Sequence, residues 1–189
     1  MNNLHFNINL SLNPLTIPVE ELPTDVWWKL LPITLVGTDL LYFLFTKKIK
    51  ISKVSTFYEE NNSEIYKPAS IHSDCVNIGD ITKLIWMYGD SDHTMSWYLP
   101  KPNTILDYAY DTNNQLGTSI RNYTKYTREQ LYKIYSTKIG FPSLIQVGIP
   151  HQVTTFKGKR RSLTIILQDF NNNYITMNDA KIIFKDIIL

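Results

Sequence analysis

Residues 47–58, Lys-Lys-Ile-Lys-Ile-Ser-Lys-Val-Ser-Thr-Phe-Tyr, alternate polar and apolar with a period of two. That pattern predicts a strand with one wet and one buried face. Residues 4–19 alternate more loosely through Leu4, Phe6, Ile8, Leu10 and Leu12, which predicts a strand ended by Pro14 and Pro18. Thr24-Asp25 reads as the cap of a short helix over Val26 to Leu31, closed by Pro32. Three strands follow, over 70–75, 82–88 and 94–99, with turns at 77–80 and at Gly89-Asp90-Ser91-Asp92 and a stop at Pro100-Lys101-Pro102.

Residues 103–126 are polar and rich in Tyr, Asn and Asp, and read as a long loop or a pair of irregular strands. Residues 127–138 read as a helix capped by Thr127 or, from their Tyr and Ile content, as a strand. The β-branched runs 144–148 and 162–168 predict an antiparallel pair. A turn at 171–173 leads to a terminal helix over 177–187. Short strands separated by turns, rather than alternating βαβ units, predict a mainly β sandwich or barrel with a few short flanking helices.

Composition narrows this reading. At 189 residues, with 43% hydrophobic and 19% charged, the chain suits one folded domain over 1–189. A formal net charge of +2 gives no argument for nucleic acid or an anionic membrane as partner, although a local basic patch stays open at Lys47-Lys48-Ile49-Lys50 and at 157–161. Their bland reading is a wet sheet face and a wet turn. The most apolar stretch, 30–45, is short for a membrane-spanning helix of about 20 apolar residues, and Pro32, Gly37 and Asp39 interrupt it. Cys75 is the single cysteine, so no intramolecular disulfide can form. With a start lacking the pattern of a secretory signal, this predicts a reducing, cytoplasmic compartment. Cys75 itself reads as a small buried residue rather than a nucleophile.

One constellation carries chemistry. His72 and Asp74 are two apart, so on a strand they share a face and can converge on one ion. His151 follows the apolar run 144–149 and Pro150, and a neighbouring strand can bring it to the same ion. Two imidazoles and one carboxylate on one face of an octahedron leave three positions open, the pattern of non-haem Fe(II) oxygenases. Nine residues on, Arg160 and Ser162 share a face of the next strand after a turn at Gly158, while Arg161 points the other way, toward solvent. A guanidinium beside a hydroxyl suits a carboxylate. The turn Asp90-Ser91-Asp92-His93 also has metal-binding residue types, but reads better as a solvated loop.

Over about 50–168 these motifs resemble the Fe(II)/2-oxoglutarate-dependent dioxygenases. The run from His151 through Arg160 to Leu167 is similar to the prolyl-hydroxylase-like branch. Thr56-Phe57-Tyr58, Ile71-His72-Ser73-Asp74, Trp86 and Trp97-Tyr98 also resemble small uncharacterised microbial and viral members. Residues 1–46 and 103–140 carry no such similarity, and 103–140 reads as a possible lid.

The resemblance implies a double-stranded β-helix, or jelly-roll, core. It also implies Fe(II) held by His72, Asp74 and His151, with 2-oxoglutarate and O2 as co-substrates. Arg160 and Ser162 would meet the distal carboxylate of 2-oxoglutarate, and Tyr88, Tyr66 and Asn77 its carboxylates more generally. Oxidative decarboxylation to succinate would accompany hydroxylation of a small-molecule or peptide substrate, with Trp86 and Trp97 candidates to line its pocket. The competing expectation is a non-catalytic jelly-roll structural or binding protein, in which His72 and Asp74 only hydrogen-bond each other and His151 caps a strand end.

Overall fold

The structure, a computed structural model, describes residues 4–25, 27–62, 67–74, 79–89, 93–104, 107–111, 121–140 and 142–189. Among the described residues thirteen strands form two sheets. In chain order they are β1 (His5–Asn7), β2 (Trp28–Leu31), β3 (Ile49–Asn61), β4 (Lys67–Pro68), β5 (Ile71–Ser73), β6 (Thr82–Gly89), β7 (His93–Pro100), β8 (Asp107–Asp111), β9 (Arg121–Tyr126), β10 (Leu131–Thr137), β11 (Ser143–Gln146), β12 (His151–Thr155) and β13 (Gly158–Asp169). The helices are α1 (Thr38–Thr46) and α2 (Met177–Ile183).

The first sheet runs β1-β11-β6-β13-β3-β2 and the second β10-β7-β12-β5-β9-β8, with β4 against β12. Every pairing is antiparallel. Strands adjacent in sequence mostly fall in opposite sheets or beyond a neighbour. This is the jelly-roll winding: β3-β13-β6-β11 in one sheet faces β5-β12-β7-β10 in the other.

Period-two alternation assigns each face of the first sheet. Leu84, Trp86, Leu163, Ile165 and Leu167 point outward and join Leu40, Leu44, Ala180 and Phe184 of the two helices in the largest apolar cluster. Lys83, Ile85, Arg160, Ser162 and Thr164 point inward. Val54 alternates with Ser55 in the same way, and the Ser55 hydroxyl meets that of Thr164 at 2.8 Å. Met95, Trp97, Ile145 and Val147 fill part of the space between the sheets. Among the described residues no helix is long and apolar enough to cross a membrane.

Several sequence expectations change. Residues 28–31 form an edge strand on β3 rather than a helix, Trp28 standing opposite Phe57. Pairing to an open sheet edge satisfies this backbone where a six-residue helix would leave most of it unpaired. The loose alternation of 4–19 yields only the three residues of β1. Thr127 caps a single 3-10 turn through a capping box with Gln130, and the chain then continues as β10. Residues 144–148 and 162–168 are not paired to each other, because β6 lies between β11 and β13. Residues 107–111 and 121–126 do form an antiparallel pair.

Candidate metal centre

β5 and β12 are hydrogen-bonded neighbours, and His72 and His151 are direct partners in their ladder. The register carries both imidazoles to the same point, with ring centroids 4.6 Å apart. Asp74 lies one residue past the end of β5, and its amide donates to the Val147 carbonyl at 2.9 Å. That bond ties the turn to the end of β11. One ligand atom from each of His72, Asp74 and His151 falls within 4.8 Å of the others. Asp74 Oδ1 is 3.6 Å from His72 Nε2, and Asp74 Oδ2 is 3.8 Å from His151 Nε2.

The histidines share a second feature. Nδ1 of His72 lies 2.9 Å from the Ser70 carbonyl, and Nδ1 of His151 lies 3.0 Å from the Ile149 carbonyl. A carbonyl only accepts, so each Nδ1 carries a proton, and Nε2 is the nitrogen turned toward Asp74, the one that would give its lone pair to an ion. A backbone acceptor behind the ligating ring is the usual way proteins fix a metal-binding histidine's tautomer and orientation.

The donor set therefore fits a divalent first-row ion. Adjacent ligand atoms around a six-coordinate ion with bonds of about 2.1 Å stand about 3 Å apart. The observed 3.6 and 3.8 Å need only small side-chain rotations to close.

These residues line one side of a cavity of about 530 Å³ between the sheets. That is within the roughly 300–1,000 Å³ of small-ligand sites. Arg160, Ser162 and Thr164 line it from β13, with Ile85, Met95, Ile145, Val147 and Val153 as apolar wall. Arg160 is only 8% exposed. Its Nη2 lies 3.7 Å from Glu59 Oε2, which itself accepts from Thr155 Oγ1 at 2.9 Å. Its Nε is buried and, among the described residues, has no hydrogen-bond partner. Burial pulls the guanidinium pKa down, and Glu59 opposes this. A buried cation on a cavity wall, with one of its donors unmet, is a binding element for an anion.

The site residues read from sequence thus divide. His72, Asp74, His151, Arg160 and Ser162 share the cavity. Trp86 and Tyr88 do not, because their parity on β6 turns them outward against the helical layer. Burial there, with Glu20 nearby, pushes the Tyr88 phenol up to about 12. Trp97 is fully buried in the cluster between the sheets, donates to the Gln146 carbonyl at 2.7 Å and does not line the cavity. Arg161 points away from the cavity as expected, but is half-buried rather than solvated: it donates to the Val19 carbonyl and lies over the Tyr58 ring. Tyr66, Asn77 and Cys75 lie outside the described residues, as do Asp90, Ser91 and Asp92.

No family model matches the chain, and no curated protein matches it. Among solved structures, a vicilin from Capsicum annuum is similar over 74% of this chain and 28% of that one, at 10% identity and a TM-score of 0.30.

Two contributors were not singled out from the sequence. Lys83 extends inward from β6, and its ammonium meets Asp74 Oδ2 at 2.6 Å, both side chains being nearly fully buried. The parity of β6 held the signal: a lysine at 83 alternates with Leu84 and precedes Ile85 on the inward face. The mouth of the cavity is built by Thr24, Asp25 and Trp27, whose exposed indole packs on Phe57 with centroids 5.8 Å apart. Among the described residues none in 103–140 lines the cavity, and residues 112–120 of that expected lid lie outside the described residues.

Proposed function

We propose that this protein is a non-haem Fe(II)/2-oxoglutarate-dependent oxygenase that hydroxylates a small-molecule or peptide substrate. One observation carries the reading. Two histidines with Nδ1 pinned to backbone carbonyls and one aspartate converge on a cavity whose opposite wall holds a buried, incompletely bonded arginine. The motif order His72, Asp74, His151, Arg160 and Ser162 supports the same assignment.

The chain's own part is ligation, orientation and exclusion of water. His72, Asp74 and His151 would hold the ion and, as three protein ligands, leave room for co-substrate and O2. Arg160 and Ser162 would bind the distal carboxylate of 2-oxoglutarate, which fixes the direction from which its oxo-acid end approaches the ion. Glu59 pairs with the guanidinium through Nη2 from β3. Ile85, Met95, Ile145, Val147 and Val153 keep the wall apolar, which strengthens each polar contact inside. Bound Fe(II) with 2-oxoglutarate and O2 would supply the oxidation, with succinate and carbon dioxide as by-products. A reducing cytoplasmic setting suits Fe(II) and the single cysteine.

The test is anaerobic addition of Fe(II) and 2-oxoglutarate to the purified protein. The reading expects a weak visible charge-transfer band that His72→Ala and Asp74→Ala abolish. Absence of metal-dependent 2-oxoglutarate binding overturns it. The Lys83–Asp74 pair favours one second reading, a non-catalytic jelly-roll binding protein in which the ammonium stands permanently where an ion would otherwise neutralise Asp74. That reading expects no uptake of any divalent ion.

A further inference from the structure

We propose that Lys83 is a positioning residue that confines Asp74 to a single oxygen toward the metal and so keeps the open coordination positions open; the proposal rests on the metal reading above. Lys83 belongs to the first sheet and Asp74 to the end of a strand in the second, so their contact spans the cavity between the sheets. Lys83 precedes Ile85 on the inward face of β6, flanked in register by Ile145 of β11 and Ile166 of β13. An ammonium in such surroundings is held by its partner, because neither charge retains enough water to be stable alone.

The two carboxylate oxygens of Asp74 are differentiated by this contact. Oδ1 faces His72 Nε2 at 3.6 Å, while Oδ2 is taken by Lys83 at 2.6 Å and stands 3.8 Å from His151 Nε2. For both oxygens to chelate one ion, Oδ2 would have to share its lone pairs between the ion and the ammonium, which weakens it as a ligand relative to Oδ1. With Lys83 in place Asp74 counts as one ligand, and a six-coordinate ion keeps three positions. A two-atom chelate from Asp74 would leave two, too few for a bidentate oxo acid and O2 together.

The ammonium also repels the ion it helps to shape. A unit charge a few ångströms away in a partly buried site is worth about tenfold or more in affinity. Lys83 therefore lowers affinity for the bare ion while it preserves the site for a chelating anion, to which its charge is also favourable. A lysine with only a structural role would support metal and oxo acid alike.

Mn(II) binding followed by electron paramagnetic resonance, and 2-oxoglutarate binding to the Mn(II)-loaded protein followed by calorimetry, separate the two roles without turnover. Lys83→Met is expected to bind Mn(II) about tenfold more tightly and 2-oxoglutarate about tenfold more weakly than wild type. The Mn(II) signal should shift as the ligand set changes. Lys83→Arg, which keeps the charge, should recover 2-oxoglutarate binding. If Lys83→Met does not fold, Lys83→Gln removes the charge but keeps a donor to Oδ2, and tighter Mn(II) binding is expected of it as well. Parallel loss of both ligands, or no change in either, overturns the proposal and leaves the metal reading standing. Wild-type protein that takes up no Mn(II) overturns the metal reading, and this proposal with it.

Discussion

His151 stands directly opposite His72 in the β12–β5 ladder, and their ring centroids are 4.6 Å apart. Cross-strand partners on one face are held within side-chain reach by the ladder alone. β12 is clamped on both sides, since His151 also pairs with Trp97 of β7. The distance between the two imidazoles is thus a property of the sheet rather than of an induced fit. Removing either ring removes one ligand and leaves the backbone in place. His72→Ala and His151→Ala are each expected to weaken Mn(II) or Fe(II) binding on the order of 100-fold or more. The ion-free melting temperature should move far less than the loss of a core residue would move it. Metal titration alongside thermal melts checks both halves.

The carbonyl behind each ring gives a finer expectation. Nδ1 is satisfied within its own strand approach, by Ser70 for His72 and by Ile149 for His151. His72→Gln keeps length and a polar end but has no fixed tautomer. It should fall between wild type and His72→Ala in metal affinity, and calorimetry with Mn(II) orders the three.

How far the sequence exposed this site depends on which interaction fixed each piece. His72, Asp74, His151, Arg160 and Ser162 were legible because motif spacing and strand parity are local, and the sheets preserve parity. Lys83 was not, because its partner lies nine residues away at the end of a strand in the other sheet. Trp86 and Tyr88 were misplaced for a related reason: aromatic character says that a side chain is buried, whereas only sheet order says which side of β6 faces the helices. The strand at 28–31 was hidden by Thr24-Asp25, a good cap with no helix long enough to use it. The edge of β3 decided its conformation instead.

Arg160 should govern the anion and not the ion. Its guanidinium is buried across the cavity from the histidines, and among the described residues its Nε has no hydrogen-bond partner. A charge-assisted hydrogen bond contributes about 1.5–3 kcal/mol. Arg160→Met is therefore expected to weaken 2-oxoglutarate binding by roughly 10- to 150-fold while Mn(II) affinity stays within about threefold. Arg160→Lys, which keeps charge but loses the fork, should lie between. Calorimetry of the metal-loaded variants checks this, and an equal loss of metal binding would sink the division of labour.

Gly89 ends β6 opposite Arg160 in the β6–β13 register. Its φ of 101° lies where side chains are strained, and an added Cβ would collide with the Lys159 carbonyl oxygen. Gly89→Ala faces both penalties, and its obstacle is backbone that cannot swing aside. A loss of about 2–4 kcal/mol is expected in urea denaturation. Because the displaced backbone is that of Lys159 and Arg160, 2-oxoglutarate binding should weaken in whatever fraction remains folded.

His5 supplies a pH dependence separable from the site. It lies on β1, whose partner β11 carries Ile145 into the cavity wall. Its Nε2 is buried and, among the described residues, has no hydrogen-bond partner. Burial holds the imidazole below its ordinary pKa of 6.5, and a hydrogen bond with Asn7 only partly offsets this. A depressed folded-state pKa means that the unfolded chain takes up the proton first. Stability is then constant above about 6.5 and declines as the pH falls from there toward the folded-state value, beyond which both states are protonated. His5→Gln removes this contribution. Melting temperatures at pH 7.5 and 5.5 should therefore differ more for wild type than for His5→Gln, and equal differences would show that β1 does not sense the proton.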